Sequence, residues 1–285
     1  QGGSHAPLGI IWALLAFSIL GGVFIYARLH GCSRFLASLC CLSLLTIPLF
    51  ENHLIVQGYA ELPLITLVTL ATIWLSIERR RHDKKFVALA IILAVIAIYT
   101  KNTGFFYGLS IITAHFMRSL SEKIGERFSV PLKIAFCCTG IALALLFCIL
   151  VVIVLSLKID LTGITLAGYA SLSQSPSLMV LTNMIGALVL NSTFGIAALL
   201  FLAYCATIYF KARTSSADLF LLFLCLFYFL GAIAVLHTDH GSMFGSWGSD
   251  TSYSRVLLPM IALAPILLVH MIADIKPNTT QRPEL

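Results

Sequence analysis

Two short segments hold the residue types in this chain best suited to chemistry. They are Gln57-Gly58-Tyr59-Ala60-Glu61-Leu62-Pro63-Leu64 and Tyr99-Thr100-Lys101-Asn102-Thr103-Gly104, and each places charge at the edge of a long apolar run. An ionisable group at the end of a membrane span is costly unless it has a partner or a task. Pro63 suits the first turn of a helix, where its missing N–H is no loss, so the Glu61 carboxylate falls at that helix's positive end. There it either satisfies the helix dipole, a contribution of ~0.3–1 kcal/mol, or faces a polar cavity as a general base or as a sugar or metal ligand. Lys101 and Asn102 close one apolar run just before Gly104 opens the next. The ammonium either snorkels to the interface or, with the Asn102 amide and nearby backbone N–H groups, holds a phosphate oxygen.

A third segment runs from His237 through Arg255 and is rich in glycine and serine. Arg255 stands where it meets the last apolar run, as a headgroup anchor or as a fork for phosphate or pyrophosphate. Phe244, Trp247 and Tyr253 suit a packed or sugar-stacking loop. His237, Asp239 and His240, with His53 and His5, offer divalent-metal ligands, but their spacing matches no tight zinc pattern, and interfacial or hydrogen-bonding histidines explain them as well. Metal dependence therefore stays open, and no cofactor is implied with certainty.

The elements that must position these residues follow from composition. The chain of 285 residues is 59% hydrophobic and 11% charged, against roughly 25% charged for a soluble domain. Apolar runs recur near residues 9–27, 35–50, 62–77, 86–99, 104–117, 134–157, 194–210, 219–236 and 256–273, most of them near the ~20 residues that cross a bilayer as a helix. The reading is an all-α, polytopic transmembrane helical bundle of about nine spans, forming one transmembrane domain over residues 1–285. The stretch 178–192, interrupted by Asn183, Gly186 and Asn191, fits an interface or a cavity better than a crossing. No soluble second domain and no internal repeat is visible.

The net charge of +6 comes from residues scattered through short loops, which excludes a nucleic-acid face. Counted outward from Glu78-Arg79-Arg80-Arg81-His82-Asp83-Lys84-Lys85, only Lys101, Lys158 and Arg255 of the 18 Lys and Arg residues fall on the opposite side. The positive-inside rule makes the basic side cytoplasmic, so the segments around Glu61, Lys101 and Arg255 face outward together. The chain then starts outside and ends inside, in a membrane such as a bacterial inner or plasma membrane. It begins on the outer side at Gln1 with no signal-peptide pattern, so a fragment lacking at least one upstream span is expected, which the resemblance described below makes the first span and first outer loop. The eight cysteines lie in the apolar runs or the inner loop, where packing explains them and no disulfide framework or C-x-x-C site is implied.

At these residues the chain resembles the GT-C superfamily of membrane glycosyltransferases, the branch akin to dolichyl-phosphate-mannose-protein mannosyltransferases and bacterial aminoarabinose transferases. Gln57 to Pro63 looks like that family's Gly-Tyr-Ala-Asp-Leu-Pro-like segment, with Glu61 in the acidic place. Thr100 to Gly104 resembles its Thr-Lys-Asn-Glu-Gly, with Thr103 replacing the acid. Ser4-His5-Ala6-Pro7-Leu8 is similar to the start of its second span, and Ser252-Tyr253-Ser254-Arg255 with Pro259 to its last outer loop. The resemblance implies inverting transfer of a sugar from a polyprenyl-phosphate donor to a glycan, lipid or protein acceptor on the outer face. It also puts the principal acidic base upstream of Gln1.

On that reading Glu61 is the catalytic candidate, and Tyr59, Lys101, Asn102, His237, His240 and Arg255 bind substrate. Lys101 and Arg255 stabilise charge on the departing lipid phosphate. The alternatives are a transporter or flippase of lipid-linked sugars, which needs ionisable residues or broken helices at mid-membrane depth, and a lipid-linked glycan polymerase or ligase.

Overall fold

Long apolar runs satisfy their backbone polar groups within themselves, and helices result. The computed structural model describes residues 6–48, 50, 61–81, 83–128, 134, 140, 186, 199–200, 202–204, 206–207, 216–236 and 257–275. Among them are seven helices: α1 (Ala6–Leu29), α2 (Arg34–Leu45), α3 (Glu61–Arg81), α4 (Lys84–Thr100), α5 (Asn102–Phe128), α6 (Ser216–Leu236) and α7 (Ala264–Ile275). A helical stretch at 257–261 leads into α7, and no strand occurs among the described residues. The all-helical expectation therefore holds for them. The runs 134–157, 178–192 and 194–210 lie wholly or mostly outside them, as does the segment 237–255.

Local chemistry sets the turns. α1 stops where Gly31 takes a φ of 79°, a left-handed conformation that glycine adopts without Cβ strain. The Arg28 guanidinium donates to the Cys32 carbonyl at 2.7 Å, and Ser33 Oγ accepts from Leu36 N at 3.2 Å to cap α2. Asp83 caps α4 by accepting from Lys85 N at 2.9 Å. Lys101 is extended and interrupts the helix, while its carbonyl already accepts from Gly104 N at 2.8 Å to start α5.

Close approach of α4 and α5 depends on small residues. Gly104 and Gly108 lie one turn apart on α5; a Cβ at the first would collide with the Ala97 carbonyl and at the second with the Ala94 carbonyl. Ala90, Ala94 and Ala97 are fully buried on the facing helix. This small-residue pairing brings the backbones together where no larger side chain fits.

Cross-helix contacts fix the directions. Tyr228 of α6 meets Tyr107 of α5 edge-on at 4.8 Å, Gly231 abuts Phe106, and the Phe220 ring lies 5.2 Å from the Arg118 guanidinium. α6 therefore runs antiparallel to α5, and Asp218 lies at the end of the bundle that holds Arg118. Arg118 bonds Glu78 near the end of α3, so this end lies opposite Glu61. In the sequence Arg118 falls just past the apolar run 104–117, where a loop on the basic side is the expectation. Instead α5 continues through Phe128 and carries it, 3% exposed, into the helix packing.

Apolar and polar residues are arranged inside out in part. Phe17, Phe35, Tyr99, Ile10, Leu14 and Ile25 are each more than half exposed, whereas Thr66, Thr69, Thr72, Ser76, Ser110 and Ser121 are buried. Several of these hydroxyls donate to a carbonyl of their own helix, as Thr66 does to Leu62 and Ser76 to Thr72, each at 2.9 Å. Two stretches, Gly9–Leu29 and Glu61–Glu78, are long and apolar enough to cross a membrane, and Arg34–Leu45, Ala217–Ala232 and Leu257–Ile272 are shorter apolar helices. The Gly9–Leu29 stretch is mostly exposed, whereas Glu61–Glu78 is mostly buried.

Candidate functional site

Glu61 opens α3 and Lys101 follows α4, 40 residues later. The antiparallel hairpin brings them back to one level, because α3 has 21 residues and α4 has 17, similar lengths at 1.5 Å per residue. Stacking of Trp74 on Phe86 at 5.2 Å fixes the register nearer the hairpin's turn. At the open end the Lys101 ammonium donates to Glu61 Oε1 at 2.5 Å.

Burial of the two partners is unequal. The Glu61 side chain is 4% exposed and that of Lys101 is 33% exposed. The carboxylate is thus held inside by an ammonium, at the N-terminal end of its own helix. Lys101 carries three N–H donors, one of which goes to Glu61. Asn102, the first residue of α5, follows directly in the chain. Tyr59, His237, His240 and Arg255, together with His53 and Asp239, lie outside the described residues. The structure therefore joins Glu61 to Lys101 and places Asn102 next in the chain, at the start of α5; the remaining expected site residues lie outside the described residues.

Two further polar clusters occupy the opposite end. In one, Arg118 donates to Glu78 Oε2 at 3.0 Å and to the Leu75 carbonyl at 3.5 Å, with His115 Nδ1 at 3.3 Å. In the other, Tyr26 Oη lies 2.5 Å from His270 Nε2, and His270 Nδ1 lies 3.8 Å from Asp218 Oδ1. His30 packs beside them, its ring 4.2 Å from Tyr26 and 5.1 Å from His270, with Nδ1 2.9 Å from the Tyr26 carbonyl of its own helix. Sequence reasoning passed over both clusters. The available signal was an ionisable residue inside or beside an apolar run, as with His270 in 256–273 and Asp218 beside 219–236.

Among the described residues, no group of three or more His, Cys, Asp or Glu side chains is placed to hold a metal ion. In comparisons with known proteins, no family model matches the chain, and no characterised protein or solved structure is significantly similar to it.

Proposed function

We propose that this chain is an integral membrane protein of the glycosyltransferase type, moving a sugar from a polyprenyl-phosphate donor to an acceptor at the end of the bundle that holds Glu61 and Lys101. The observation that carries the reading is the contact between a buried carboxylate and a partly exposed ammonium from two segments that are 40 residues apart. That pair supplies the two charges that transfer from a lipid phosphate needs. A carboxylate orients or deprotonates the acceptor, and a cation stabilises negative charge on the leaving phosphate. The exposed apolar side chains of α1, α2 and α4 support a lipid environment, since in water they would form a large unpartnered surface.

Transport of lipid-linked sugars is the weaker reading. The described buried ionisable groups gather at the two ends of the helices, Glu61 at one and Arg118, Asp218 and His270 at the other, and a carrier needs them near the middle.

The test is turnover of a labelled polyprenyl-phosphate sugar in membranes containing the chain, normalised for expression. Glu61→Gln and Lys101→Met each lower turnover roughly ten- to a hundredfold, the equivalent of a lost charged contact. Near-normal turnover in both variants, or no turnover above control membranes in the unaltered chain, sinks the proposal.

A further inference from the structure

At the end of the bundle opposite Glu61, one chain of polar contacts runs through three helices. Tyr26 of α1 touches His270 of α7, which faces Asp218 of α6. All three are buried: Tyr26 is 0%, Asp218 1% and His270 8% exposed. α7 packs mainly on α1 and α2, whereas α6 packs mainly on α5. The His270–Asp218 contact therefore joins two parts of the bundle that otherwise share little surface.

The two halves of this chain differ in length. The Tyr26–His270 contact, at 2.5 Å, is a made hydrogen bond; the His270–Asp218 contact, at 3.8 Å, is beyond hydrogen-bonding distance but within ion-pair range. With His270 neutral and its hydrogen on Nδ1, Nε2 accepts from the Tyr26 hydroxyl. When a solvent proton is added at Nε2, the imidazolium donates from both nitrogens. Tyr26 Oη then accepts where it had donated, and its own hydrogen turns aside. The new positive charge faces the Asp218 carboxylate.

We propose that Tyr26, His270 and Asp218 form a proton-operated clasp, in which protonation of His270 draws Asp218 in from 3.8 Å and ties α6 to α7. The clasp is separate from the Glu61–Lys101 pair and does not depend on the function proposed for that pair. Among the described residues, the other titratable groups packed near this end are few. His30, just past α1, has its Nδ1 engaged by the Tyr26 carbonyl; Arg28 of α1 is engaged by the Cys32 carbonyl; and the Cys32 thiol is buried in the turn that follows. α2 brings Cys40, Cys41 and an exposed Arg34, and across α6 the Phe220 ring carries Arg118.

The readout is amide hydrogen exchange of the purified full chain in detergent, compared at about pH 5.5 and about pH 7.5, on either side of the ordinary histidine range, after correction for the intrinsic pH dependence of exchange. In the unaltered protein, protection of the peptides covering 216–224 and 264–275 rises roughly tenfold at the lower pH, the effect of one added charge-assisted hydrogen bond. The sign follows from linkage: a proton bound more tightly in the clasped state adds protection as pH falls and removes it as pH rises. The rise disappears in Asp218→Asn and in His270→Gln and persists in His30→Gln. Equal corrected protection at both pH values in the unaltered chain overturns the clasp even if the variants fail to fold. A rise that survives in Asp218→Asn, or that is lost in His30→Gln alone, also overturns it.

Discussion

Breaking the Glu61–Lys101 pair from its two sides should not cost the same. In Lys101→Met the ammonium is replaced by a chain of similar length without charge, and Glu61, 4% exposed, keeps a carboxylate inside the bundle. Removing one partner of a fully buried pair costs about 3–5 kcal/mol. Lys101 is 33% exposed, so water already screens part of the attraction, and the expected loss falls to about 2–3 kcal/mol. In Glu61→Gln the buried charge disappears, while the ammonium turns toward the water it already meets, so the loss is about 1 kcal/mol. The double variant has no stranded carboxylate and returns to about 1 kcal/mol, a coupling of about 2–3 kcal/mol between the sites. Reversible unfolding in mixed detergent micelles measures all four corners of the cycle. Equal costs for the two single variants, or coupling below ~0.5 kcal/mol, would show that Glu61 does not rely on Lys101.

Arg118→Met strands Glu78 and removes the cation from the Phe220 face, so unfolding in the same micelles should show a loss of about 3 kcal/mol, with Arg118→Lys recovering only part of it because the guanidinium fork is gone. A loss below ~1 kcal/mol would remove the cluster's structural role. Gly108→Val puts a side chain into the Ala94 carbonyl and against Ile98, and should reduce stability by about 2 kcal/mol or more, whereas the same exchange at Gly21, which has open space around it, leaves folding intact. Equal behaviour of the two valine variants in the yield of folded protein would refute the close α4–α5 approach. Ser33→Cys and Thr103→Cys, at turns on opposite ends of the bundle, should be labelled by an impermeant maleimide from opposite sides of sealed vesicles, above the background of the native cysteines. Labelling from the same side would overturn the topology expected from the charge pattern.

Much of the fold was legible because it rests on local chemistry. Apolar runs of helical length predict helices wherever they occur, and the turns at Ser33, Asp83 and Lys101 fall where capping or charged residues interrupt those runs. Glu61 and Lys101 stood out in the sequence as charges at the edges of apolar runs. That an acid and a base sit at the same end of two consecutive helices follows from alternation alone.

Contact between them required the tertiary structure. Helix alternation brings Lys101 to the right end, but the 2.5 Å bond depends on the packing of α3 against α4, the Trp74–Phe86 stack and the glycine-mediated approach of α5. The depth of Arg118 also escaped the sequence. A basic residue after an apolar run reads as a loop residue, and only Glu78 from α3 and Phe220 from α6 make its burial affordable. The Tyr26–His270–Asp218 chain is the extreme case, since Tyr26 and His270 are 244 residues apart. Period and charge patterns determine which residues form helices and which ends face together, because those are properties of a single helix or of its two flanks. Which buried groups become partners is decided by packing between helices distant in the chain, and no local pattern encodes that choice.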